Sequence, residues 1–172
     1  MAEIPYSHKI RMADVPDGGV RLHLVPTPEV CAALARHVGV LDISRMSVDV
    51  QVTPRGEGAR VTGRLKACVR VTSVVSLEPF DNQVDEDFSV EFDPPEVIEA
   101  LPEEEEGGVP IERDPPDALV DGTLDLGALA TEFLSLGIDP YPRRPGEVFE
   151  QHLEGTEETS PFAALAQLTK KT

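Results

Sequence analysis

Residues 61–71 read VTGRLKACVRV, and this stretch decides the fold of the chain. Its odd positions hold apolar or small side chains, while its even positions hold polar or cysteine side chains. Successive side chains of a β-strand point to opposite faces of a sheet, so the alternation predicts a long strand with one buried face and one polar face. With the residue that precedes the stretch, the polar set is Arg60, Thr62, Arg64, Lys66, Cys68 and Arg70.

Two other stretches alternate in the same way, one before and one after this strand. Their apolar side chains are Val48, Val50 and Val52 in the first, and Phe88, Val90 and Phe92 in the second. Turn-forming residues at 54–58 join the first stretch to the central strand. Three successive strands with one apolar face each predict an antiparallel meander. We therefore expect an α+β fold with an antiparallel, curled, barrel-like sheet.

Two main helices are predicted to pack on this sheet. Thr27 is a suitable N-cap for the first helix, and Gly39 is placed to end it after about three turns. Thr123 can cap a second helix that begins at Leu124 and ends at Gly137. The apolar side chains of both segments recur at helical spacing, which indicates that one side of each helix is buried.

The length of 172 residues suits one domain with a tail. We expect an α+β domain over residues 1–146, interrupted by an acidic loop over 94–118 that is flexible because it has little to bury. Residues 147–172 are expected to form a polar tail that ends in a short amphipathic helix. That helix either docks on another protein or packs on its own domain.

The charge of the chain is divided between its two parts. Residues 1–75 contain ten basic and seven acidic side chains, whereas residues 76–172 contain five basic and twenty-five acidic ones. Such a chain can bind anions through one part and cations through the other, which favours a binding protein over an enzyme. The overall acidity argues against a general nucleic-acid binder, because neutralising phosphates requires concentrated Lys and Arg. A local basic face is still compatible with it.

The cations of the central strand have two interpretations. Arg60, Arg64, Lys66 and Arg70 lie in a line on one face of the sheet, and a phosphate backbone could bind along that line. Alternatively, Asp85, Asp87 and Glu91 have the outward parity of a neighbouring strand and could pair with the same cations. Both arrangements can coexist at different ends of the line.

Two other segments are candidate binding sites. Tyr141, Arg143 and Arg144 lie on a proline-rich, extended backbone, where they either stack on unpaired bases or pack against their own domain. An acidic run could attract a basic protein by long-range electrostatics, or could serve only as a solvated loop. That run consists of Glu103, Glu104, Glu105 and Glu106.

Catalytic, metal and membrane functions find little support. The four histidines have no partner at the spacing of metal ligands or of an activated nucleophile. Cys31 lies beside an apolar helical face and is expected in the core, and no glycine-rich phosphate loop is present. No apolar run is long enough to span a membrane, and the opening residues do not form a signal peptide. We expect a cytoplasmic, non-enzymatic protein without a metal or cofactor.

Three segments make the chain resemble a known family. They are residues 65–71 (LKACVRV) followed by residues 88–92 (FSVEF), residues 121–143 from DGTLDL to PYPR, and residues 160–166 (SPFAALA). Their order and spacing resemble the YceD family, the bacterial large ribosomal RNA subunit accumulation proteins. Many members carry Cys-x-Arg-Cys at the end of the strand. Here Cys68 and Arg70 match that motif but Val71 replaces its second cysteine, so no metal is expected.

The resemblance implies a compact α+β domain that supports accumulation of large-subunit ribosomal RNA during ribosome assembly. The implied partner is ribosomal RNA or a pre-ribosomal particle. Genes of this family often neighbour one for a small, basic large-subunit ribosomal protein. The alternative is therefore an acidic escort for such a protein, acting through the acidic run. The resemblance supplies no catalytic residue.

Overall fold

The computed structural model describes residues 4–99 and 116–148. The strands are β1 (Lys9–Arg11), β2 (Val20–Leu24), β3 (Asp42–Arg55), β4 (Gly58–Thr72), β5 (Pro79–Asp93), β6 (Asp117–Ala118) and β7 (Thr123–Asp125). The α-helices are α1 (Pro28–Val38), α2 (Pro95–Glu99) and α3 (Leu126–Gly137), and two 3-10 turns occupy Met12–Asp14 and Val120–Gly122. The predicted division into a domain and a tail at residue 146 falls near the end of the described residues, so it stays a prediction.

The main sheet is open and has five strands in the order β2-β3-β4-β5-β6. The pairs from β2 to β5 are antiparallel, and β6 runs parallel to β5. The predicted α+β fold with an antiparallel meander is confirmed, but the expectation of a curled, barrel-like sheet is wrong. The helices α1 and α3 cover the apolar face, so the sheet does not have to close on itself to bury that face.

The three alternating stretches of the sequence are β3, β4 and β5, and both β3 and β5 extend well beyond the patterns that predicted them. A tight turn at Gly56 joins β3 to β4, and Gly56 has a φ of 59°, a conformation that favours glycine. The register slips by one residue between Ile43 and Arg45, so β3 contains a β-bulge close to its start.

One continuous core lies between the sheet and the two longer helices. From the sheet it receives Val48, Val52, Val61, Leu65 and Val69, and from the helices Leu34 and Leu134, all fully buried. Cys31 belongs to this core, as predicted, and burial raises the pKa of its thiol.

The first helix follows the sequence prediction. The Thr27 hydroxyl accepts a hydrogen bond from the Val30 N–H at 3.4 Å, and Pro28 occupies the first turn. Gly39 ends the helix in the left-handed conformation with a φ of 78°.

The start of the second long helix differs from the prediction, because Asp125 is its N-cap and Thr123 is not. The Asp125 carboxylate accepts hydrogen bonds from the N–H groups of Gly127 and Ala128, each at 3.1 Å. Thr123 and Leu124 instead belong to β7, which pairs with β1 and buries Leu124. Burial of Leu124 by strand pairing therefore outweighs the local capping preference of Thr123.

Asp125 also ties the N-terminal segment to α3. The Ser7 hydroxyl donates to its carboxylate at 2.6 Å, and the His8 N–H donates at 2.9 Å. Burial alone would raise the pKa of Asp125, but these hydrogen bonds and those from the helix N-terminus lower it below its ordinary value. A carboxyl group with a lowered pKa stabilises the fold above its unfolded-state pKa, and this contribution is lost as the pH falls through the folded-state pKa.

We expect Asp125→Ala to lower the free energy of unfolding by about 1–2 kcal/mol at pH 7, the usual effect of losing an N-cap. The difference from the wild type should shrink as the pH falls below about 4. Urea unfolding between pH 3 and 7 measures both effects. Thr123→Ala is the matched control and should cost much less. An equal cost for the two variants would contradict the assignment of the cap.

Gly63 on β4 makes room for an aromatic pair that joins the sheet to α3. The rings of Phe88 and Phe133 stack with their centroids 4.6 Å apart. A Cβ atom at Gly63 would clash with the Phe88 ring and would lie 2.7 Å from the Asp49 carbonyl oxygen. We expect Gly63→Ala to lower the free energy of unfolding by about 1–3 kcal/mol through overpacking.

Gly18 provides the control for this substitution, because a Cβ atom there would meet nothing within 4 Å. Gly18→Ala should leave the urea midpoint close to that of the wild type. If Gly63→Ala were equally neutral, the Phe88 ring would not be fixed against β4 as described.

Candidate functional site

The side of the main sheet that faces away from α1 and α3 is termed the polar face. It carries the outward side chains of β2 to β5, and those of β4 are exposed or half-buried with the exception of Cys68. Cys68 is covered by Gln83, whose side-chain amide donates to Sγ at 3.2 Å. The candidate cations of the central strand all lie on this face.

Charge on the polar face is separated by strand. The outward charged side chains of β4 are all basic, whereas those of β5 are all acidic. The β4 set is Arg60, Arg64, Lys66 and Arg70, and the β5 set is Asp81, Asp85, Asp87, Glu91 and Asp93. Adjacent strands lie about 5 Å apart, so a row of cations faces a row of carboxylates along the whole β4–β5 pair.

Two of the four β4 cations are engaged by these carboxylates. Arg64 binds Asp85 through two hydrogen bonds of 2.6 and 2.7 Å, and this bidentate pairing lowers the pKa of Asp85. Arg60 donates to Glu91 at 3.1 Å, and Glu91 also pairs with Arg55 of β3 at 3.0 Å. The cross-strand interpretation therefore describes the arrangement at Arg60 and Arg64.

The other two β4 cations, with one from β3, form what we term the cationic patch: Arg45, Lys66 and Arg70. The register places Arg45 opposite Cys68, between Lys66 and Arg70. All three side chains belong to exposed residues, and none forms an ion pair within 4.0 Å with another residue of 4–99 or 116–148. Arg70 forms no ion pair with the described residues even though Asp42 and Asp81 are its cross-strand neighbours.

The sequence analysis does not include Arg45, because the alternating pattern on which it depends begins at Val48, whereas the strand begins at Asp42. A signal was available, since Arg45 has the same outward parity as Asp49 and Gln51.

The edge of β3 beside the patch has no strand neighbour among the described residues. β2 ends at Leu24, which pairs with Val48, and the chain then turns into α1. The part of β3 over residues 42–47 is therefore paired on the β4 side only. A cavity of about 720 Å³ opens at this edge, with Arg45 and Lys66 among its lining residues.

The proline-rich segment is anchored to the connection between β4 and β5. Arg144 pairs with Glu78 at 3.1 Å and donates to the Pro79 carbonyl oxygen at 3.3 Å. Tyr141 is 70% exposed, and Arg143 is exposed. Of the three candidates in this segment, Arg144 thus holds the segment in place, while the other two side chains face solvent.

Glu147 completes this anchor. It accepts hydrogen bonds from the hydroxyl groups of Ser73 and Ser76, and these hydrogen bonds lower its pKa. Because Ser73 directly follows β4 and is fully buried, the chain passes the end of the sheet at a fixed point.

Several predicted features lie outside the described residues. They are the acidic run Glu103, Glu104, Glu105 and Glu106, and the amphipathic helix near the end of the chain. The acidic escort therefore stays a prediction. Within residues 4–99 and 116–148, no group of three or more His, Cys, Asp or Glu side chains could hold a metal ion. Nor is any helix in these ranges long and apolar enough to cross a membrane.

The Arg64–Asp85 pair can be tested by a double-mutant cycle with Arg64→Gln and Asp85→Asn. Each single substitution should lower the stability to urea, and the double variant should lose less than the sum, because both singles remove the same pair. The coupling should weaken in 1 M salt, where screening is strong. A cycle with Lys66→Gln and Asp85→Asn is the control and should show weaker coupling. Equal coupling in the two cycles would contradict the described pairing.

The chain matches the model of a known protein family. Residues 61–169 match the family described as "Large ribosomal RNA subunit accumulation protein YceD". The matched region begins within β4 and covers more than half of the chain, including β5 and α3. No curated protein and no solved structure shows significant similarity to the chain.

Proposed function

The chain belongs to the YceD family, and from this premise we propose that it supports the accumulation of large-subunit ribosomal RNA by binding that RNA, or a particle that contains it, through the cationic patch. The family description supplies the biological role. The patch supplies a site with the required charge, because phosphate contacts depend on Lys and Arg side chains that are free to replace counterions.

The observation that carries this proposal is the different state of the β4 cations. Arg60 and Arg64 are already neutralised by Glu91 and Asp85, so a phosphate would have to displace a carboxylate to reach them. Lys66 and Arg70 have no such ion pair among the described residues, and Arg45 adds a third charge beside them. A phosphate backbone can therefore contact the cations of the patch without first displacing a carboxylate from an ion pair.

The acidic row on β5 limits where the RNA can lie. A polyanion placed over β3 and β4 meets the cationic patch, whereas one displaced toward β5 approaches carboxylates such as Asp81 and Asp87. Like charges at this spacing repel one another, which fixes the orientation of the ligand as well as its position. The net negative charge of the whole chain opposes non-specific binding to other nucleic acids.

In this proposal the protein acts in the cytoplasm, holds no cofactor and makes or breaks no covalent bond. Its two thiols, the most nucleophilic groups in the sequence, support a non-catalytic role because both are buried. The protein acts only by binding to a precursor of the large subunit.

The test compares the triple variant Arg45→Gln, Lys66→Gln, Arg70→Gln with the wild type in binding to transcribed large-subunit ribosomal RNA. We expect weaker binding, and a plot of log affinity against log salt concentration whose slope is smaller by about 2, as expected for three lost contacts to single-stranded phosphates. Fluorescence anisotropy over a range of salt concentrations measures both. In cells, the variant should lower the ratio of large-subunit to small-subunit RNA.

The matched control is the triple variant Lys9→Gln, Arg11→Gln, Arg36→Gln, which removes the same charge from exposed residues of β1 and α1. This control should keep the wild-type affinity and salt slope. Equal losses for the two triple variants would mean that only net charge matters. Unchanged RNA binding by the patch variant would refute the proposed site.

A further inference from the structure

The cavity beside the cationic patch has the composition of a site for an organic ring attached to an anion. Most of its lining residues are apolar or weakly polar, three carry hydrogen-bonding side chains and two are cations. The hydrogen-bonding residues are Ser44, Ser47 and Gln83, and the cations are Arg45 and Lys66. Asp42 is the one carboxylate among the described lining residues. A volume of about 720 Å³ lies within the range of small-molecule sites.

The open edge of β3 adds backbone groups to this chemistry. Over residues 42–47 the strand has β4 on one side and the cavity on the other, so its outward backbone groups can bond to a ligand. The N–H and C=O groups at a strand edge form hydrogen bonds either with water or with a partner. The polar atoms at the rim of a nucleic-acid base can be such a partner.

We propose that the cavity takes an unpaired base of the bound RNA, while Arg45 and Lys66 bind the adjoining phosphates. This inference rests on the function proposed above and narrows the ligand from RNA in general to single-stranded RNA. The Arg45 guanidinium can stack on the base as well as contact phosphate. The Gln83 amide and the β3 edge would bond to the rim of the base.

The charge of the polar face disfavours a duplex at the same place. A double helix is wider than the spacing of about 5 Å between β4 and β5, so it would bring phosphates over the β5 carboxylates. A base inside a duplex would also have to be unstacked before it could enter the cavity. A single strand can follow β3 and β4 without either cost.

The test is Ser47→Phe, which fills the cavity from the polar face without changing charge. The probe is a fluorescent single-stranded RNA oligonucleotide of large-subunit sequence, alone or annealed to its complement. We expect the wild type to bind the single strand at least about tenfold more tightly than the duplex. Ser47→Phe should weaken single-strand binding about tenfold, the effect of losing one stacked base, with the salt slope unchanged. Thr53→Phe, on the same strand and face but outside the cavity lining, should bind like the wild type.

If Ser47→Phe fails to fold, Gln83→Ala provides the same test on β5, with a several-fold loss of single-strand affinity and an unchanged salt slope. Wild-type affinity in the cavity variant, or equal affinity for single strand and duplex, would overturn the inference while leaving the patch proposal intact. If neither form of RNA binds, or the patch triple variant has no effect, the proposed function itself fails. Loss of a protein from ribosomal particles without loss of RNA affinity would assign the cavity to a protein partner and also overturn the inference.

Discussion

Every part of this structure depends on the pairing of β4 with both of its neighbours along almost its whole length. The register joins Val61 to Val52 on one side and to Val90 on the other, so apolar side chains of three strands meet on one face. The same register places the charged side chains of those strands on the opposite face, with the exception of Glu86 beside α3. A slip of one residue would exchange the two faces of a strand and would expose its apolar side chains. Because α1 and α3 pack on those apolar side chains, they also fix the positions of the charges on the polar face.

The cations of the polar face are in two different states. Arg60 and Arg64 contribute to the cohesion of the β4–β5 pair, where carboxylates lie directly across from them. Arg45, Lys66 and Arg70 lie toward the other end of the sheet, beside an edge that β2 does not cover. Within the described residues, the cations that form ion pairs and those that form none are thus separated along the strand.

Much of the architecture could be predicted from the sequence, because it depends on local patterns. A few neighbouring residues are enough to predict three of its features: the alternation of residues 61–71, the N-cap at Thr27 and the end of α1 at Gly39. The openness of the sheet, the pairing of β7 with β1 and the cap at Asp125 could not be predicted, since each depends on contacts with distant residues such as Ser7 and His8. The outward position of Arg45 follows from the parity of β3, but its place beside an uncovered edge depends on where β2 ends.

The most direct test of the central claim is a titration of the labelled protein with large-subunit ribosomal RNA, followed through its backbone amide NMR signals. The signals of residues 44–47 and 66–70 should shift with RNA concentration, while those of Arg60 and of the helix α3 stay in place. Shifts confined to the helices, or spread evenly over both faces of the sheet, would contradict the account.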